Sequence, residues 1–149
     1  MLSIKGVKMA TRSSIAIQEA DGTVSGIYCH WDGNLGTNGR ILKDHYTDTA
    51  KIRELISLGS LSSLRAQIGE KQDFDKPTNH EWCVVYGRDR EEDNTHPRNF
   101  DNIEHWLEAM GEEYNYLWDG SEWLVNGFVT KHEFRSVVQI MLERSKDNQ

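Results

Sequence analysis

The chain has 149 residues, with 24 acidic against 17 basic side chains, a net charge of −7 and a mean hydropathy of −0.69. That length suits one domain, which buries roughly 70% of its unfolded surface without disulfide or metal staples. No apolar run approaches the ~20 residues of a transmembrane helix, the two cysteines read as reduced thiols rather than a disulfide framework, and the basic footprint of a nucleic-acid binder is absent.

The opening MLSIKGVK has neither the apolar core nor the cleavage site of a secretory signal. Met9 begins a second natural start, MATRSS, so residues 1–8 read as a disordered extension ahead of a single domain over residues 9–149. SIAIQ and TVSGIYCHW then flank Asp21-Gly22, and such a dipeptide between alternating apolar runs predicts a β-hairpin. On the second strand Cys29 and Trp31 share one face, and Tyr28 and His30 the other. DGNLGTNGR, Asp32 to Arg40, reads as an irregular glycine-rich loop.

ILKDHY leads into a helix capped by Thr47 or Asp48, with Ala50, Ile52, Leu55, Ile56 and Leu58 near one stripe and Gly59 as its stop. LSSLRAQIG reads as a short helical turn ending at Gly69, and residues 70–81, with Pro77, as a surface loop. WCVVYG, Trp82 to Gly87, is β-branched and aromatic enough for a buried strand, and the charged RDREEDNTHPRN for a loop. Asp101 is placed as the cap of a helix DNIEHWLEAM that stops at Gly111. EYNYLWDGSEWLV reads as a second hairpin about Asp119-Gly120. Thr130 with Glu133 has the spacing of a capping box for a last helix carrying Phe134, Val137, Val138, Met141 and Leu142. The expected class is α+β: an antiparallel sheet of hairpins plus a lone central strand, packed against about three helices.

Charge is unevenly placed. From Asp89 to Glu122 there are 11 acidic residues against two basic ones, a local balance of −9. A solvated acidic surface of this kind attracts basic partners and repels phosphate. Cys29, His30, His45, His80 and Cys83 are metal-competent types, and His80 and Cys83 have ligand spacing, but strand thiols are more often small buried hydrophobes and no metal or other cofactor is assigned. No phosphate-cradling loop, dinucleotide fingerprint, HExxH or GxSxG occurs. What stands out is a polar-aromatic group: Tyr28, His30, Trp31 and Asp32 at a strand end, Arg40 after the glycine-rich loop, Asp44 and His45 beyond it, with Arg88 and Arg90 as further cations. Aromatic rings stack planar ligands and guanidinium groups meet phosphate.

The blocks IYCHWDG, ILKDHYTD and VVYGRDR, with EYNYLWDGSEW, resemble a family of small proteins encoded by tailed bacteriophages and prophages. The resemblance runs from about Met9 to Trp123. It carries no assigned activity, so it transfers no functional residue. It implies a phage accessory gene expressed in the cytoplasm of a host bacterium.

The expected function is binding in the service of counter-defence. One target is a nucleotide-like small molecule at Tyr28, His30, Trp31, Asp32, Arg40, Asp44, His45, Arg88 and Arg90. The other is a basic host protein docked on the acidic segment, whose charge also fits a DNA mimic. The enzymatic alternative is a small-nucleotide hydrolase using His30 or His45 with Asp32 or Asp44. A homo-oligomer is compatible with all of these.

Overall fold

The computed structural model describes residues 10–127 and 130–147; the extension read at residues 1–8 lies outside the described residues. In chain order the strands are β1 (Ser13–Gln18), β2 (Val24–Cys29), β3 (Leu61–Ser63), β4 (Val84–Val85), β5 (Arg98–Phe100), β6 (Tyr114–Trp118), β7 (Trp123–Gly127) and β8 (Arg135–Ser136). The α-helices are α1 (Arg40–His45), α2 (Thr49–Ser57), α3 (Tyr86–Arg90), α4 (Ile103–Met110) and α5 (Val137–Asp147), and a π-helical turn, Leu35–Gly39, runs into α1.

All eight strands form one mixed sheet in the order β4-β3-β2-β1-β6-β7-β8, with β5 beside β2. Two antiparallel hairpins make its middle. β1–β2 turns at Asp21-Gly22, where Gly22 takes φ +91°, and β6–β7 at Asp119-Gly120, where Gly120 takes φ +104°. The hairpins join through a parallel β1–β6 pair, Ser13 to Ile17 alongside Tyr114 to Trp118, and β3 also runs parallel to β2. The upper edge of β2 is shared: Val24 to Gly26 pair with β5, and Cys29 pairs with Leu61 of β3.

Both faces of this sheet are covered. On one, Ile15, Ile17, Ile27, Cys29, Tyr116, Trp118 and Val125 pack with Leu42 and Tyr46 of the α1 region, Ile52, Leu55 and Ile56 of α2, and Val137 and Ile140 of α5. On the other, α4 lays Trp106 over Ala16, Val24 and Leu117, with Phe100, Ile103, Leu107 and Phe134 around it. Burial on both faces at ~25 cal/mol per Å² of apolar surface is the main favourable term holding these layers.

The expected class is corrected in three respects. The sheet is mixed rather than antiparallel, the described residues form five α-helices, of which α1, α2 and α5 pack on one face and α4 on the other rather than three on one, and WCVVYG is not a central strand. It supplies only the two-residue β4 at the end of the strand order. The Asp89 carboxylate accepts from the Val85 amide at 2.8 Å and starts α3 at Tyr86, cutting the strand short. The central strand is β1, whose neighbours are β2 and β6. LSSLRAQIG opens as strand β3 rather than a helical turn. DGNLGTNGR holds a π-helical turn rather than irregular loop, and RDREEDNTHPRN begins inside α3.

Local details follow side-chain chemistry. Asp48 caps α2, accepting from Ala50 N at 3.2 Å. Asn102, not Asp101, caps α4, accepting from His105 N at 2.9 Å. The Thr130–Glu133 box does not open the last helix. Lys131 and His132 both take left-handed backbone, φ 57° and 64°, which no helix continues through. The helix starts later, after β8, with the Ser136 hydroxyl accepting from Gln139 N at 3.2 Å. Among the described residues no helix is long and apolar enough to cross a membrane.

Candidate functional site

IYCHWDG is first a piece of packing. Cys29 is fully buried, takes a 3.5 Å contact from Asn38 Nδ2, and desolvation pushes its thiol up to about 12. Burial also raises Cys83, which lies against the Tyr46 hydroxyl and the Arg65 backbone. Neither sulfur is a thiolate at neutral pH, and the thiolate is the nucleophilic and metal-binding form. Gly33 is required by close approach: a Cβ there would sit 2.8 Å from Thr11 O. Its amide donates to that oxygen at 2.8 Å, and its carbonyl accepts from Tyr116 Oη at 2.6 Å. Asp32, at φ 59°, makes the turn, and its carbonyl accepts from Asn38 N at 3.1 Å.

What remains for function is the outward side of the same strand end. Ile27 and Cys29 face the α1–α2–α5 core, so Tyr28 faces the α4 side. His30 continues the ladder, its amide donating to Leu61 O at 3.0 Å, and its Nδ1 meets Tyr28 Oη at 2.6 Å. Trp31 sets its ring edge-on to His30, centroids 4.6 Å apart. All three are half-buried. Helix α4 stops at Met110, leaving this end of the sheet face to them.

Two charged groups, Arg12 and Glu112, act on Tyr28, and Arg12 also acts on His30. Burial lowers the His30 pKa, and the Arg12 guanidinium lowers it further. Burial raises the Tyr28 phenol, while Arg12 pulls it down and Glu112 pushes it up. Burial raises the Glu112 carboxyl as well, with Arg12 opposing. Tyr28 is therefore a phenol and His30 a neutral imidazole at physiological pH. Either tautomer satisfies the Tyr28–His30 contact. Tyr86 lies within electrostatic reach of Tyr28. Its ring stands 5.3 Å from Phe74, and Arg90 lies over both rings, 4.3 Å from Phe74 and 5.0 Å from Tyr86. Arg90 also pairs with Glu92 at 2.6 Å. Arg12, Glu112, Phe74 and Tyr86 escaped the sequence reading. They come from four separate segments: Arg12, Glu112 and Tyr86 act on Tyr28, and Phe74 packs on Tyr86.

The remaining expected site residues go elsewhere. Arg88 is structural: it donates to Ile68 O at 2.9 Å, to Cys83 O at 2.8 Å and to the buried Asp89 carboxylate at 2.9 Å. Arg40, Asp44 and His45 sit on α1, which packs on the opposite sheet face from Tyr28 and His30. Asp44 is exposed and paired with Lys43. The His45 side chain is exposed, and its carbonyl accepts from Lys51 Nζ at 2.7 Å. His45 and Asp44 therefore do not meet His30 and Asp32. The acidic segment is also trimmed, since Asp89 is buried and Glu91 and Glu92 are paired with Lys71 and Arg90. Among the described residues no three His, Cys, Asp or Glu side chains converge as metal ligands.

Comparison with protein-family models, with curated proteins and with solved structures found no match for this chain.

Proposed function

We propose that this chain is a phage- or prophage-encoded accessory protein that acts in the host bacterial cytoplasm by binding, and that it holds a nucleotide-like small molecule on the polar-aromatic surface at the end of β2. The observation that carries this reading is the contiguous Tyr28–His30–Trp31 group, edged by Arg12 and neighboured by Tyr86, Phe74 and Arg90. Aromatic faces accept a planar base by stacking, worth about 1–3 kcal/mol per base. Arg12 has no ion-pair partner among the described residues and is placed to meet phosphate.

Sequestration fits this surface better than turnover. The thiols are sealed in the core, and the second histidine and its neighbouring aspartate lie across the sheet. Binding without chemistry counters a nucleotide signal by lowering its free concentration. The test is calorimetric titration with mono- and cyclic nucleotides of the wild type, Trp31→Ala and Arg12→Gln. Loss of binding in both variants, with unchanged far-ultraviolet circular dichroism, is expected. Wild-type affinity in Trp31→Ala would sink the reading.

A further inference from the structure

A second site, on the opposite face of the sheet, is formed around Arg40, one of the expected residues that lie apart from the aromatic group. Arg40 lines a cavity of about 400 Å³ together with Leu35, Gly36, Met141, Arg144 and Ser145. One wall is the π-helical turn where it passes into α1, and the other is α5. The volume lies within the roughly 300–1,000 Å³ of ordinary small-molecule sites.

The cavity presents two arginines on a chain of net charge −7. Six other cations, Lys43, Arg53, Lys71, Arg88, Arg90 and Arg135, are each engaged by a carboxylate. Arg40 and Arg144 are among the described cations in no ion pair, and these two line the same cavity. An anion seated between two guanidinium groups meets charge-assisted donors from both. Arg144 is exposed, and its charge is felt by the fully buried Tyr116, whose ring lies beside Gly39. Asp44, whose carboxyl the Arg40 charge helps to lower, is already held by Lys43. The acid next to Arg144, Glu143, is held by Arg135.

The rest of the lining is apolar. Leu35 is buried and Met141 half-buried. A neighbouring cavity of about 250 Å³ shares Arg40, Met141 and Ser145 and adds Lys43 with Val138 and Leu142, large apolar side chains of α5 that are 44% and 53% exposed. Cations at the mouth beside an apolar wall suit a ligand with an anionic end and an apolar or aromatic body.

We infer that the cleft between the Leu35–Arg40 turn and α5 binds a phosphorylated small molecule, its phosphate held by Arg40 and Arg144 and its body against Leu35 and Met141. This does not rest on the aromatic surface at β2, and the two stand or fall separately. The test is isothermal titration of the full chain with phenyl phosphate, glucose 6-phosphate and inorganic pyrophosphate, none of them a nucleotide, with phenol as the uncharged control. At least one phosphate compound is expected to bind saturably and phenol not at all. Arg40→Gln and Arg144→Gln should each weaken that binding about tenfold or more, as loss of a charge-assisted contact does. Failure of all three probes, or wild-type affinity in both arginine variants with native circular dichroism, would overturn the assignment. Loss in Trp31→Ala but in neither arginine variant would also overturn it, by moving the ligand to the other face.

Discussion

Tyr28 Oη and His30 Nδ1 stand 2.6 Å apart on one face of the sheet, two residues apart in sequence. Burial, helped by Arg12, holds the imidazole below its ordinary value of 6.5. In the window between the folded value and 6.5 the unfolded chain binds a proton that the folded one does not. His30 therefore adds stability that is present above 6.5 and is lost as pH falls through the folded value. An NMR titration of the histidine ring resonances should find His30 titrating below 6.5, and Arg12→Gln should move it upward.

Glu112 has the opposite sign. Burial raises its carboxyl above 4.5, so its favourable contribution is complete below 4.5 and is lost as pH rises through the folded value. Glu112→Gln should accordingly raise the melting temperature at neutral pH and leave it unchanged in acid. A variant equal to wild type at neutral pH would mean that the carboxyl is solvated.

Trp106 crosses Gly26 on the α4 face. A Cβ at Gly26 would lie 2.8 Å from its Nε1, which already donates to Ser14 Oγ at 2.7 Å. The indole is fully buried and has no room to retreat. Gly26→Ala should cost about 1–3 kcal/mol, the usual range for overpacking a filled core. Urea unfolding monitored by tryptophan fluorescence gives the number, and a loss under 0.5 kcal/mol would contradict this packing.

The Asp89 side chain has no exposed surface and accepts from Arg88, Gln72 N and Val85 N. Asp89→Ala leaves the Arg88 guanidinium buried without its counter-charge, and the expected loss is about 3–5 kcal/mol. Glu92→Gln, which breaks the exposed pair with Arg90, should cost under about 1 kcal/mol in the same assay.

These residues also mark what was readable in the sequence. Asp-Gly between alternating runs gives both hairpin turns, because the glycine supplies the left-handed backbone of a tight turn. Alternation along IYCHW puts Tyr28 and His30 together. The parallel β1–β6 pair was out of reach, since about a hundred residues separate the partners and no local pattern encodes which edge meets which. The second helical layer was hidden for a different reason. Trp106 of α4 has ordinary helical spacing and gives no sign that it covers the far side of the sheet, where Phe134, outside any helix, stacks on it. Arg88 and Arg90 look alike in YGRDR, and only the buried Asp89 between them separates a structural cation from an exposed one. Arg40 was legible as a candidate, but its partner Arg144 lies on a helix at the other end of the chain.

The central claim is that this chain carries a nucleotide-like ligand on the Tyr28–His30–Trp31 surface. The most direct measurement is mass spectrometry of small molecules released by heat from wild-type and Trp31→Ala protein, each purified from phage-challenged bacteria with an active defence system. The account predicts an intact nucleotide in stoichiometric amount from the wild type and none from Trp31→Ala. Release of nothing from the wild type, or of the same nucleotide from both, would contradict it.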